Sequence, residues 1–354
     1  MSARSKPARV ALVGCGAVAQ LYYRPALETL EREGLLRLVA AHDPNPAALT
    51  AFCAAFPSAA RLGSFGELLE QRPELVIIAS PPRHHREQTV AALEAGADVH
   101  CEKPLAPDLG AGEHMVAAAA AAGRRLTVGM LRRHFPATQV IGRLLAAGAI
   151  GPLESVDCFE GGPFAWPVQS SDYFRPGAGA AGVLQDIGTH CLDLLTWWLG
   201  VPTVIAYADD AMGGVEANCS VALAFGEVPA TVRLSRDWAR PDRYVLTGRD
   251  GWLGWTVNET NRFDHRVRGT RFAGAVTVHD VAVGRQQPAL GPVASEFDEA
   301  FAHQLRVLVD PGGESSTCID GAEALPTLAL IDRCYASATR MPMPWLVPAA
   351  EPVP

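Results

Sequence analysis

The chain has no apolar run approaching the roughly 18 residues of a membrane-spanning helix, and no span is expected. It has no long basic run, and its net charge is −8. Both facts speak against nucleic acid or an anionic membrane surface as a partner. Its eight cysteines (Cys15, Cys53, Cys101, Cys158, Cys191, Cys219, Cys318 and Cys334) form no CxxC pair and no Cys/His cluster at zinc spacing. Free buried thiols are expected, and no metal site. Low-complexity tracts are missing as well: the 33 glycines and 27 prolines are scattered between periodic segments and read as turns. Basic residues do precede the apolar run VALVGCGAVA, but glycine breaks that run and no clear cleavage pattern follows. A signal peptide is therefore not read, and a cytoplasmic protein is expected.

What is present is a chain of 354 residues, 49% hydrophobic, enough for more than one domain. The first third alternates short apolar runs with helical patterns. RVALVG (9–14), LRLVAAHD (36–43), ELVIIAS (74–80), ADVHCE (97–102) and RRLTVGM (124–130) read as strands. Helices are expected between them at about 17–33, 46–56, 84–96 and 109–123. Strand–helix repetition with short links predicts a doubly wound parallel sheet over residues 1–131. Beyond Arg132 the pattern changes. After a helix at 136–147, strands are expected at 152–160, 203–209, 216–226, 229–236, 243–248, 251–257 and 273–281. Helices at 182–199, 296–309 and 320–339 would cover one face, and the proline-rich tail from Met341 reads as extended. Residues 132–354 are thus expected to form an α+β domain with a large, open, mostly antiparallel sheet.

Three stretches carry chemistry. VGCGAVA places Gly14, Gly16 and Ala19 in GxGxxA spacing, with Ala17 and Val18 opening the helix. The first glycine permits a tight turn, the second a close backbone approach to a pyrophosphate, and the helix N-terminus offers free N–H groups to phosphate. Asp43 ends the second long strand, where a carboxylate can accept from both ribose hydroxyls. Pro44, Asn45 and Pro46 follow it without a basic residue, so NAD is expected over NADP. An aspartate that only caps the next helix is the plainer reading. In SPPRHH, Ser80 and Pro81 end a strand on the cofactor side, and His84 and His85 are helix-start histidines or, for His85, a cofactor contact.

The second stretch, Glu102-Lys103-Pro104, ends the strand ADVHCE beside the expected nicotinamide crevice. A lysine there can stabilise negative charge on a substrate oxygen, and Glu102 is its expected ion-pair partner or positioner. The third, GVLQDIGTHCLDLLTWWLG, reads as a helix with Ile187, Cys191, Leu194, Leu195 and Trp198 facing the core. Asp186, His190 and Asp193 fall on an adjacent stripe, one turn apart. A histidine there can take a hydroxyl proton near neutral pH, with the carboxylate orienting it or polarising the substrate.

On VGCGAVA, Asp43, SPPRHH, CEKPLA, VGMLRRHFP, QDIGTHCLD, SEFDEAF and DGAEALPTLALID, the chain resembles the glucose–fructose oxidoreductase, inositol dehydrogenase and rhizopine-catabolism (Gfo/Idh/MocA) family over nearly its whole length. The resemblance implies a Rossmann domain and an α/β domain with an open sheet, assembled as dimers or tetramers through that sheet. It implies catalytic roles for Lys103, Asp186 and His190, and hydride exchange between NAD(H) and a hydroxyl of a sugar, inositol or nucleotide-sugar. GGPFAWPVQSSDYFRP (161–176) matches no particular substrate class. Trp166, Tyr173 and Arg175 are expected to line the pocket, and Arg132 or Arg133 to meet substrate or cofactor or to serve as a domain-interface charge. Rival readings on the same fold are a redox-neutral, NAD-using lyase or glycosidase, an imine reductase, and a non-catalytic NAD-binding sensor.

Overall fold

The computed structural model describes residues 6–167, 174, 182–238, 241–267, 270–275, 297–309 and 318–342. The first strand, β1 (Ala8–Val13), leads into a single π turn (Ala19–Tyr23) and then α1 (Arg24–Arg32). Then come β2 (Leu36–His42), α2 (Pro46–Cys53), β3 (Ala60–Leu62), α3 (Phe65–Glu70), β4 (Leu75–Ile78), α4 (His85–Glu94), β5 (Asp98–Cys101), α5 (Leu109–Ala122) and β6 (Leu126–Val128). All four residues of β4 are buried, which explains its unbroken apolar run: a strand covered by helices on both faces has no polar side. Helix starts are set by local chemistry. The Asn45 side chain accepts from the N–H groups of Ala47 and Ala48 to begin α2. Asp108 does the same for α5, which stops at Gly123 in the left-handed conformation. The pair β3–α3 was not foreseen, although Ser64 and Glu67 form a capping box legible as S-x-x-E.

The remainder supplies α6 (Pro136–Ala146), β7 (Leu153–Gly161), a second π turn (Leu184–Gly188), α7 (Thr189–Leu199), β8 (Thr203–Asp209), β9 (Asn218–Phe225), β10 (Val228–Ser235), β11 (Arg243–Gly248) and β12 (Gly251–Thr256). It ends with β13 (Arg262–Val267), β14 (Thr270–Ala275), α8 (Phe297–Val309), β15 (Ile319–Asp320), α9 (Gly321–Ala336) and β16 (Thr339–Arg340). The strand expected at 273–281 is described only as far as Ala275, within β14; β13 was not foreseen. The order is β14-β13-β12-β11-β7-β10-β9-β8-β16. Neighbours are antiparallel except β7 with β10 and β8 with β16. Buried and half-exposed residues alternate along β9 and β11, as in a sheet covered on one face only. The first sheet has the order β15-β6-β5-β4-β1-β2-β3, parallel except where β15 runs antiparallel to β6. A single cut after residue 131 therefore does not separate the sheets: Ile319 and Asp320 return to the first one. All eight cysteines are free, and all but Cys318 are buried. Among the described residues no helix is long and apolar enough to cross a membrane.

The seam between the two parts holds buried histidines. Burial pushes the His100 imidazole down to about 4. His134 is lowered well below the usual range, by burial first and then by His303, His100 and Arg133. Both stay neutral in the fold, whereas the unfolded chain protonates them below about pH 6.5. Their contribution is therefore intact above that pH and is lost as pH falls, at ~1.4 kcal/mol per pH unit for each group. Urea unfolding at descending pH should show this loss, and His134→Leu should remove its share of the slope. Identical slopes for the two proteins would contradict the assignment.

Candidate active site

A cleft of about 540 Å³ opens where the carboxyl ends of β1, β4 and β5 face the second sheet. This is a usual size for a small-ligand site. Gly14 turns the chain at the end of β1 with φ +89°, and a Cβ there would lie 2.4 Å from the backbone nitrogen of Ser80. No side chain fits, because β1 and the loop after β4 touch through their backbones. Gly16 faces open space, with no heavy atom within 4 Å of a Cβ placed there. The Gly14–Val18 turn thus leaves room for a dinucleotide pyrophosphate. Ala17 and Val18 lead into the first π turn, and Val18 and Ser80 line the cleft. Pro81 begins the short turn after β4.

Asp43 is locked in place. Its Oδ2 accepts from the Cys15 N–H at 2.7 Å and its Oδ1 from the Asn45 N–H at 2.7 Å. The helix-capping alternative falls to Asn45, which caps α2 itself. His85 differs from the expected cofactor contact. It is fully buried, with Nδ1 at 3.0 Å from the Pro104 carbonyl oxygen and Nε2 at 2.8 Å from that of Ser80. The ring lies between these two carbonyls, with one N–H to donate, so it joins the loop after β4 to the loop after β5. His84 lies half-buried in the turn before α4, with Nε2 accepting from Arg83 at 3.0 Å.

Lys103 follows β5 and makes a cis peptide bond with Pro104. Its ammonium donates to Asp186 Oδ1 at 2.7 Å and to the Asp186 carbonyl oxygen at 3.2 Å. Glu102 is placed differently from the expected partner of the ammonium. Its Oε1 accepts from the buried Tyr23 hydroxyl at 2.6 Å and its Oε2 from the Lys103 backbone N–H at 3.0 Å. Burial raises its carboxyl above the ordinary range, against the opposing influence of Tyr23 and Lys103.

The expected helix 182–199 begins as the π turn Leu184–Gly188. The wider turn changes which side chains share an edge. Asp186 and His190 both line the cleft. Asp193 leaves their stripe and is buried, accepting two hydrogen bonds from Arg133 at 3.0 and 2.8 Å. Arg133 also lies over the Trp197 ring, so its place is the seam and not the cleft. The expectation that Asp186 orients His190 meets a carboxylate occupied elsewhere. Asp186 Oδ1 takes Lys103, and Oδ2 takes Arg236 Nη2 at 3.0 Å. Burial lowers His190 well below the usual histidine range, and the charges of Arg132 and Lys103 lower it further, while Asp186 opposes them.

Arg132 lines the cleft but is committed to Glu160. Nη1 donates at 2.8 Å, Nη2 makes a second bond, and the Tyr244 hydroxyl donates to Glu160 at 2.7 Å. One wall is aromatic. Trp166 stacks on Tyr22 with ring centres 6.1 Å apart, and Tyr22 stacks on Phe301 at 4.8 Å. Tyr173 and Arg175 lie outside the described residues. Sequence reasoning missed Arg236, Tyr22 and Glu160, because each reaches the cleft only through tertiary packing and none belongs to a motif.

Fold and cleft together define a two-sheet protein whose Rossmann-type parallel sheet carries a glycine turn open to a dinucleotide. Residues 8–130 match the family model described as "Oxidoreductase family, NAD-binding Rossmann fold". Residues 138–254 match the GFO/IDH/MocA C-terminal domain. The chain belongs to the Gfo/Idh/MocA family. It is 36% identical over 128 residues to inositol 2-dehydrogenase 4 of Saccharopolyspora erythraea, which is 36% of this chain and 35% of that protein. The chain therefore spans only about a third of that relative's length. A myo-inositol dehydrogenase of Streptomyces leeuwenhoekii is 27% identical over 96% of this chain and 99% of its own. The fold resembles a 3-ketoreductase from Actinomadura kijaniata, solved with NADP and TDP-benzene: TM-score 0.78, 20% identity, 96% of this chain and 100% of that one.

Proposed function

We propose that the chain exchanges a hydride between NAD(H) and a secondary hydroxyl or ketone of a sugar, inositol or nucleotide-sugar. The observation that carries this reading is the convergence of Lys103, Asp186 and His190 on one cleft beside the Gly14–Val18 turn. The dinucleotide would be held by Gly14, Gly16, Ala17, Val18, Asp43, Ser80 and Pro81, with Glu102 and Lys103 beside the nicotinamide, and His85 supporting two of these loops from behind. When bound, the nicotinamide accepts or returns the hydride.

The chain's own residues handle the proton and the charge. His190 is kept neutral by its surroundings, so its lone pair can take the proton of a substrate hydroxyl at neutral pH. Two of the three Lys103 N–H groups point to Asp186, leaving the third for the reacting oxygen as negative charge develops there. Asp186 holds that ammonium. Arg132 and Trp166 line the cleft.

In this reading the protein is cytoplasmic and assembles as a homodimer or homotetramer through the exposed face of the second sheet. The test is a panel of inositols, aldoses, glycosides and sugar nucleotides with NAD and NADP, followed by reduced-cofactor absorbance. No turnover with any of them would overturn the reading.

The preference for NAD rests on the fixed Asp43 carboxylate, which would repel a 2′-phosphate. Asp43→Asn removes the charge and keeps an acceptor for one of the two N–H groups. The ratio of kcat/KM for NADP over NAD is expected to rise by about tenfold, equivalent to ~1.4 kcal/mol. An unchanged ratio would place the source of selectivity elsewhere.

A further inference from the structure

Arg236 belongs to no motif, yet the structure gives it a defined place in the cleft. It follows β10, and its backbone is bonded at both ends: its N–H donates to the Ala217 carbonyl at 2.8 Å, and its carbonyl accepts from Phe164 at 2.7 Å. The side chain is 5% exposed. Its guanidinium packs over the Phe164 ring at 5.2 Å, and Nη2 donates to Asp186 Oδ2 at 3.0 Å. Asp186 is therefore a bridge. Lys103 reaches it from the end of the first sheet, and Arg236 reaches it from the end of the second.

The chemistry of a bridge differs from that of a pair. A lysine paired one-to-one with a carboxylate is neutralised as a unit. Its field at a developing alkoxide is largely cancelled, and the carboxylate is free to rotate with it. With a second cation on the same carboxylate, the trio carries one net positive charge in a site where charges are poorly screened. Each carboxylate oxygen has its own donor, which fixes the plane of the group and hence the position of the ammonium bonded to it. An arginine suits this post, since it stays charged and stacks on an aromatic ring.

We infer that Arg236 is a positioning residue. By sharing the Asp186 carboxylate with Lys103, it holds the ammonium in place and leaves a net positive charge facing the reacting oxygen. This rests on the proposed hydride-transfer reading and assigns no contact between Arg236 and substrate.

The test compares Arg236→Gln and Arg236→Lys with the unaltered full-length protein, on whichever polyol or sugar gives the highest turnover. Arg236→Gln is expected to lower kcat by ten- to a hundredfold with KM changed less than threefold, since the lost charge acts on the developing alkoxide. Arg236→Lys should restore a large part of kcat. The pH profile is a second readout. The charged groups known to act on His190 are Arg132, Lys103 and Asp186, from three different elements. With Arg236 gone, one of the cations that offset Asp186 is lost and its pull on His190 grows, so the acid limb of kcat/KM in the oxidation direction should move to higher pH. Thermal unfolding separates a structural effect. Unchanged kcat in Arg236→Gln would overturn the inference. So would equal losses in both variants with a parallel fall in Tm and an unmoved pH profile. Absence of turnover in the unaltered protein would instead overturn the functional reading beneath it.

Discussion

Replacing Lys103 with methionine is expected to lower kcat by about 10²–10³ without loss of dinucleotide binding. The side chain keeps an unbranched apolar stem one atom shorter, so the loop after β5 has no reason to rearrange. What disappears is the ammonium that links that loop to Asp186 and would face the reacting oxygen. A hydroxyl losing its proton to His190 would then develop negative charge without a donor opposite. The effect belongs in kcat more than KM, because the charge exists only as the reaction proceeds. Lys103 and Asp186 act as a unit, so Lys103→Met combined with Asp186→Asn should cost far less than the sum of the single losses. Lys103 is one of only two lysines in the chain, the other being Lys6. Amine modification followed by peptide mapping therefore reports on it almost alone, and substrate should protect it. A Lys103→Met protein that binds dinucleotide and turns over undiminished would remove the lysine from the proposal.

Arg132→Met is expected to reduce stability by about 3–5 kcal/mol, through the partner it leaves behind. Glu160 is buried and accepts two hydrogen bonds from Arg132 and one from Tyr244. Deleting the arginine strands that carboxylate next to Trp255, over whose ring the guanidinium lies at 5.9 Å. Thermal unfolding should fall by roughly 10 °C on the usual scaling for a protein of this size. A double change, Arg132→Met with Glu160→Leu, should recover much of that loss, because it removes the unpaired charge along with the pair. Equal Tm values for the single variant and the unaltered protein would show that the pair contributes nothing to the fold.

Much of the fold was legible because its signals are local. The apolar run of β4, the Asp108 cap and Gly123 stop of α5, and the glycine turn after β1 each depend on a few neighbouring residues. Lys103, Asp186 and His190 were legible as candidates because EKP and DxGxH are compact patterns with a chemical meaning. The six-residue α3 and β13 were missed, and so were the shorter strands β3, β15 and β16. Two or three residues of strand carry no period of their own, and their pairing is supplied by distant partners. The return of β15 to β6 from the far end of the chain is likewise invisible to any local signal.

By itself the sequence determined a Rossmann half, a second sheet-rich half, the family, and the residue types at the chemical centre. These follow from hydrophobic period, turn chemistry and short motifs, all of which act within a few residues along the chain. Only the tertiary structure decided who pairs with whom. Glu102 turned to Tyr23, Asp193 to Arg133 and Arg132 to Glu160, while His85 went to the backs of two loops and Asp186 to both Lys103 and Arg236. Such choices are made by burial. A polar or charged group removed from water takes the complementary partner that packing brings within about 3 Å, and that neighbour is set by how the chain packs.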